Sequence, residues 1–284
     1  MNEPISNVVG GKRQGLADIT WPEYQALCAL NGSVLVHGRK SVVHLKYAWD
    51  NGREDTDAMQ FGRMIHCLLF EPREIEKRYR AWGRTRRGTE YEEFCEEASA
   101  AGAEVVKETG QYSLEQAIAA AQSFLRSKRV QALIAAGRAE QTVLAIEHGL
   151  QCKGRLDWVS SSEHILTDLK TAASIEDRLF GKAFFNFGYD IKLGLYRRWL
   201  NKATNDNWPV EVIALENSPP YDLAVIPIPD AVLDRGVEKG LGIIENVVRC
   251  IEEDCWPGVA GDDPYPLHVP FYEMEQEETE EFQG

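Results

Sequence analysis

Residues 142–170, TVLAIEHGLQCKGRLDWVSSSEHILTDLK, decide the fold. The segment divides into three apolar-rich runs, TVLAIEH (142–148), QCKGRLDWV (151–159) and HILTDLK (164–170). Short runs of this kind with tight polar links predict three consecutive strands. Alternation along the second strand puts Lys153, Arg155 and Asp157 on one face, and Cys152, Gly154, Leu156 and Trp158 on the other. On the third strand Asp168 and Lys170 share a face while Leu169 points away. A four-residue loop at 161–164 then pairs Asp157 with Asp168 and Arg155 with Lys170. Directly opposed residues have Cβ atoms roughly 5 Å apart, where like charges destabilise the pair. Two such carboxylates either titrate as a coupled pair or hold a cation.

Carboxylate oxygens with few other donors suit Mg²⁺ or Mn²⁺, which keeps waters and takes phosphate oxygens as its remaining ligands. A lysine two residues beyond the second acid can orient or help deprotonate an attacking water. The set reads as a site for metal-assisted phosphodiester hydrolysis. The same D…D-x-K spacing also occurs on solvated hairpin faces, so both readings stay open on the hairpin alone.

Working outward, the chain before the strands is helical in pattern. Residues 1–20 are expected to be flexible, and a short helix is expected over Trp21–Leu30. Ser41 is placed to cap a helix through VVHLKYAW. MQFGRMIHCLLF (59–70) carries Phe61, Ile65, Leu68 and Leu69 at helical spacing. Residues 89–100 and 111–137 are rich in Ala and Glu and predict helix. After the strands, 176–203 returns to helix, VEVIALEN (210–217) and DLAVIPIP (222–229) predict two more strands, and a closing helix begins near Pro229. Helices, β-meander, helices, hairpin and helix predict an α/β fold with a central mixed or antiparallel sheet flanked by helices.

The chain has 284 residues and a formal net charge of −14, which argues against a generic nucleic-acid coat. The charge is uneven: EMEQEETEE (273–281) is an acidic run, while KRYRAWGRTRRG (77–88) is a local basic patch with Arg84, Arg86 and Arg87 as candidate phosphate contacts. The cysteines, Cys28, Cys67, Cys95, Cys152, Cys250 and Cys255, form no CxxC pair and no zinc-ligand spacing. No apolar run approaches the roughly 20 residues of a membrane span, and the N-terminus has no apolar signal segment. A cytoplasmic protein without membrane contact is the expectation.

GRLDWV followed by HILTDLKTAASI resembles motifs II and III of the PD-(D/E)xK nuclease superfamily, and most closely its RecE-like (exonuclease VIII) branch of phage and prophage recombination exonucleases. FGRMIHCLLFEP resembles that branch's helix with a Gly-x-x-x-His element, and FFNFGYDIKLGLYRRWL resembles its helix after the catalytic strand. The resemblance covers about 59–200 and implies a restriction-endonuclease-like (PD-(D/E)xK) core. It divides the chain into an N-terminal extension (1–58), a nuclease domain (59–260) and an acidic tail (261–284).

Carried over residue by residue, the resemblance makes Asp157 and Asp168 metal ligands and Lys170 the motif lysine. His66, one helical turn after Gly62, becomes a metal-proximal histidine. Glu140 matches the superfamily's helix-end acid, with Glu147 as its rival. Arg155, Tyr189, Lys192 and Tyr196 become candidate DNA contacts. Two departures are visible: Lys192 stands where the branch has glutamine, and Leu156 stands in place of the motif II proline.

The resemblance implies a Mg²⁺-dependent exonuclease, with Mn²⁺ as an alternative ion. It would degrade one strand of duplex DNA 5′ to 3′ from an end and expose a single strand for an annealing protein. It also implies a homo-oligomeric ring. An endonuclease or nickase with the same site, and a DNA-binding recombination protein without catalysis, are the alternatives.

Overall fold

The computed structural model describes residues 3–52 and 55–260. After a 3₁₀ turn at Ile5–Val8 come β1 (Gly15–Ala17), α1 (Trp21–Ala26), β2 (Leu30–Asn31), α2 (Gly32–Leu35), α3 (Val42–Asn51) and α4 (Asp57–Phe70). A small layer follows, made of α5 (Ile75–Arg78), β3 (Tyr79–Trp82), α6 (Thr89–Ala100) and β4 (Glu104–Lys107), with β3 and β4 paired in parallel. Then come α7 (Leu114–Arg126), α8 (Lys128–Ile134) and the meander β5 (Gly137–Glu147), β6 (Leu150–Ser160) and β7 (Ile165–Ala172). The chain continues through α9 (Asp177–Asn186), α10 (Tyr189–Thr204), β8 (Val210–Glu216), β9 (Leu223–Pro227) and α11 (Asp230–Glu253).

The central sheet runs β1-β5-β6-β7-β8-β9, with β2 alongside β6. β7 and β8 are parallel, as are β2 and β6, and the other neighbours are antiparallel. Two parallel neighbours cannot be joined by a hairpin, so α9 and α10 form the crossover between β7 and β8. One face of the sheet buries Leu156 and Leu166 with Leu193, Trp199 and Ile244 of α10 and α11. The other buries Leu169 and Leu215 with Phe61, Ile65, Phe124 and Leu133 of α4, α7 and α8. The result is the mixed sheet between helical layers that the element order predicts.

Three expectations need correction. Residues 5–17 are anchored rather than flexible: Ile5 and Val8 are buried, and β1 pairs with β5 from Gly15↔Leu144 to Ala17↔Thr142. Gln151 fixes the stretch between them, its Oε1 accepting from the backbone N–H groups of Lys12 and Arg13, each at 3.0 Å. The helix expected over 111–137 is broken at Ser127, whose hydroxyl accepts from the Val130 N–H and so caps α8. The first meander strand starts at Gly137 and therefore contains both Glu140 and Glu147, so Glu140 does not end a helix. The acidic run at 273–281 lies outside the described residues.

At the far end of β5 Glu147 is buried under α10. Its carboxylate accepts from Arg198 Nε at 2.9 Å, Lys202 Nζ at 2.8 Å and Trp199 Nε1 at 3.2 Å. Burial alone would push this carboxyl upward, but the hydrogen bonds from Arg198 and Lys202 outweigh it and hold the group below the usual carboxylate range. A depressed folded-state pKa gives stability above the unfolded value that is lost as the pH falls. Glu147→Gln should therefore cost about 1–2 kcal/mol at pH 7, since two of its partners are partly solvated. Urea melts of both proteins should show the gap closing as the pH is lowered below 4.5, the unperturbed value. A gap that does not change with pH would show that the carboxylate's charge is not what holds α10 to β5.

Candidate active site

The loop at 161–164 and the register of the β6–β7 hairpin are as the sequence predicts, with Trp158↔Thr167, Val159↔Leu166 and Ser160↔Ile165 paired. The ladder then stops, so Asp157 and Asp168 are not a paired couple within it. The Leu169 N–H donates instead to Asp157 Oδ2 at 2.8 Å, and β7 continues against β8. On the other side of β6 the β5 ladder skips one pair, Glu140 with Asp157. Glu140 has φ +51°, a left-handed backbone that costs a non-glycine residue about 1–3 kcal/mol and is concentrated at functional sites. Strict alternation also fails here, since Leu156 packs on the α10 side of the sheet while Trp158 packs on the α4 side.

His66 arrives from α4, whose first turn is capped by Thr56 accepting from the Met59 N–H. One turn before it, a Cβ on Gly62 would meet Thr171 Oγ1 at 3.1 Å, so the glycine lets α4 lie close on β7. His66 Nε2 is then 3.1 Å from the Leu169 carbonyl oxygen and 3.7 Å from Asp157 Oδ2, and Nδ1 is 3.9 Å from Glu140 Oε1. His66, Glu140 and Asp157 each offer a ligand atom, and these atoms lie within 4.8 Å of one another. Burial, then the charge of Asp157, push the Glu140 carboxyl above the usual carboxylate range against the pull of His66 and Arg155. Two acids and an imidazole on that scale match the donor chemistry of a divalent cation, and one would relieve the repulsion between the carboxylates.

Asp168 faces the other helical layer. Its Oδ2 accepts from Lys170 Nζ, and its Oδ1 is 3.4 Å from Lys192 Nζ on α10. Burial opposes its charge, yet the two lysines hold the carboxyl down at about 2. Burial, opposed by Asp168 and reinforced by Lys192, holds Lys170 below the usual lysine range. Lys192 goes the other way: Asp168 overrides the cost of burial and keeps it firmly charged. Tyr189 lies under Lys170 with its ring centroid 5.0 Å from Nζ, and Tyr196 lies 5.2 Å from Lys192 Nζ. The Tyr196 ring fits against β6 because residue 154 is glycine, where a Cβ would fall 2.8 Å from Tyr196 Cε1.

Arg155 turns onto a metal-ligand candidate, its Nε donating to Glu140 Oε2 at 2.7 Å. Its guanidinium lies 5.4 Å from the Trp21 ring and 5.8 Å from the Tyr24 ring, two aromatics of α1 that the sequence reading did not single out. The capping box of Thr20 and Glu23 marks that helix, but no local signal ties it to β6. The loop after β3 stays apart: Arg84 pairs with Glu90, Arg86 is half-buried and Arg87 is exposed. Among the described residues, none of these three contacts the cluster around Asp157. Glu147 is committed to α10, which leaves Glu140 as the β5 acid beside Asp157.

No helix among the described residues is long and apolar enough to cross a membrane. No sequence relative is found among curated proteins. Among solved structures, the chain is similar to a "Putative exonuclease" from Eubacterium rectale, with a TM-score of 0.60 and 13% identity over 91% of this chain and 98% of that one. A phage related exonuclease from Haemophilus somnus 129PT aligns with 80% of this chain and 96% of its own at 13% identity and a TM-score of 0.36. The first of these speaks to the fold alone, and the second is too distant to do so. In sequence, residues 39–265 match the family model of the PDDEXK-like domain of unknown function (DUF3799). A match over most of the chain, on a mixed sheet that brings His66, Glu140 and Asp157 together, places this protein in that PD-(D/E)xK-type family.

Proposed function

We propose that the chain is a divalent-metal-dependent deoxyribonuclease of RecE-like type that degrades double-stranded DNA from its ends, 5′ to 3′, and exposes a single strand for an annealing protein. The observation that carries this reading is the convergence of His66, Glu140 and Asp157 beside the Asp168–Lys170 pair. His66, Glu140 and Asp157 would hold Mg²⁺ or Mn²⁺; the imidazole in the set makes Mn²⁺ a good match. A bound divalent ion supplies Lewis-acid stabilisation of the developing charge on the phosphate.

The protein's own groups supply the rest. Lys170, positioned by Asp168, acts in the neutral form that burial favours: it orients the attacking water and takes its proton as the water oxygen bonds to phosphorus, while the P–O bond breaks and the departing oxygen takes a proton from solvent. Asp168 positions Lys170 and Lys192 at once, and it is a candidate ligand when a metal displaces one of them. Lys192 supplies a fixed positive charge, where the glutamine of the RecE-like branch would supply only a dipole. Arg155 steadies Glu140. Arg87 is exposed and makes no ion pair among the described residues, so it is the best placed of the loop arginines to meet phosphate. A homo-oligomeric ring around DNA belongs to the same reading. An endonuclease is the second reading, because the same site can act on internal bonds.

Digestion of end-labelled linear duplex should require Mg²⁺ or Mn²⁺ and stop with Ca²⁺ or EDTA, while covalently closed circles should survive. Rapid cutting of circles would replace the exonuclease reading with the endonuclease one. Asp157→Ala should cost about 10³-fold or more in rate, the several kcal/mol that a correctly held metal supplies. Lys170→Ala should cost about 10²–10⁴-fold through loss of proton transfer. If Asp168→Ala digests linear duplex at the wild-type rate, the assignment of the lysine pair is wrong.

A further inference from the structure

The crossover helix α9 presents a second surface of different character. Phe180 and Phe184 are buried, so the opposite side of the helix faces outward. Arg178, Lys182 and Phe185 are all exposed and fall within about 60° of arc on that side, at 100° per residue. Leu179, Phe185 and Phe187 are 53%, 48% and 57% exposed. Single exposed apolar residues are ordinary, but three within nine positions form a patch. The turn carrying the two phenylalanines is fixed: Arg39 donates from Nη1 to the Phe185 carbonyl at 2.8 Å and from Nη2 to the Asn186 carbonyl at 3.0 Å. Among the described residues, neither Arg178 nor Lys182 has a carboxylate within 4.0 Å, although the chain carries a net charge of −14.

This patch is continuous with the site. The Phe187 ring centroid is 5.7 Å from that of Tyr189, and the Tyr189 ring is 5.0 Å from Lys170 Nζ. Free cations interleaved with exposed rings form the surface that tracks single-stranded nucleic acid, where bases stack on aromatics and phosphates meet cations. A duplex hides its base faces, so rings standing in solvent have nothing to stack on there. A second copy of the chain is the competing occupant, but the continuity of the rings with Tyr189 and Lys170 favours a strand that leads into the site. Resting on the nuclease reading above, we propose that α9 and the turn after it bind single-stranded DNA next to the site, with Phe185 and Phe187 stacking unpaired bases and Arg178 and Lys182 contacting phosphates.

The test is binding of fluorescent oligo(dT) and of a blunt duplex to the full chain in EDTA, so that no strand is cut, combined with sizing of each variant. Phe185→Ala with Phe187→Ala should weaken oligo(dT) binding about tenfold or more, since stacking on one aromatic ring is worth roughly 5- to 150-fold. Phe185→Leu with Phe187→Leu should lose as much, because leucine keeps apolar area but has no ring face. Arg178→Glu with Lys182→Glu should flatten the salt dependence, lowering the log–log slope by about 1.4 for two phosphate contacts on a single strand. Unchanged oligo(dT) affinity in both ring pairs overturns the proposal. So does an alanine pair that changes the oligomeric state while the leucine pair preserves both state and affinity, which would make the patch an interface between copies. Oligo(dT) binding lost with the rings in a chain that cuts no DNA would keep this surface and remove the nuclease reading. DNA cutting by a chain whose strand binding ignores the rings would do the reverse.

Discussion

The hydrogen bond from the Leu169 N–H to Asp157 Oδ2 is the contact on which the site depends. An antiparallel ladder continued past Trp158 and Thr167 would give that N–H a backbone partner and leave no room for a cluster of charges. Strands that part normally leave orphan backbone groups, and a buried orphan N–H is costly. Here a side chain takes the place of the missing strand. The Leu169 carbonyl is released by the same parting, and it lies 3.1 Å from His66 Nε2 and 3.3 Å from Lys170 Nζ. β7 can lose β6 as a neighbour because β8 holds its other edge, in parallel register from Leu166↔Val210 to Ala172↔Glu216. That parallel pairing requires the α9–α10 crossover, and the crossover is what delivers Tyr189 and Lys192 to Asp168. One topological fact thus opens the site and furnishes half of it.

The electrostatics of the opened region are nearly closed without any ion. Glu140, Asp157 and Asp168 bring three acids, and Arg155, Lys170 and Lys192 bring three bases that touch two of them. The balance is uneven in space. Asp168 has two ammonium partners and holds its charge easily, whereas Glu140 is pushed upward by burial and by Asp157. The shortfall of positive charge therefore falls between Glu140 and Asp157, where His66 also points. A dication is drawn to the place where carboxylates are least compensated, so the candidate metal ligands and the lysine pair are separated by charge as well as by layer.

Much of this was legible in the sequence. The meander, the hairpin register, the crossover helices and the closing helix followed from run lengths and period, because each element buries a continuous apolar face that its own residues encode. Gly62 and His66 at helical spacing, and Asp168 and Lys170 two residues apart on a strand, carried their geometry with them. What failed was non-local. The left-handed backbone of Glu140 cannot be read from a strand pattern, and neither can the loss of alternation opposite it, where Leu156 and Trp158 pack on different faces. Trp21 and Tyr24 reach Arg155 across more than 130 positions, and nothing in their own helix announces it. The anchoring of residues 5–17 likewise depends on Gln151 and the edge of β5, and a short polar segment gives no local sign of either.

Charge counted by segment also leaves out neighbouring charges, and that bears on how an acidic chain can meet DNA. KRYRAWGRTRRG is the densest cationic stretch, yet α6 follows it directly with Glu90, Glu92, Glu93, Glu96 and Glu97, and Arg84 is already paired with Glu90. Charges that close offset one another within the screening length of about 8–10 Å, so the stretch projects little positive field. The useful cations are those whose neighbours leave them uncompensated. Arg178 and Lys182 are only two, and Glu176 and Asp177 begin the same helix, but among the described residues neither cation is paired with a carboxylate, and the exposed rings of Phe185 and Phe187 stand beside them. A net charge of −14 then does not oppose function. On the reading proposed above, it keeps most of the surface repulsive to a polyanion and would leave contact to the region where helix α9, Tyr189 and Lys170 adjoin.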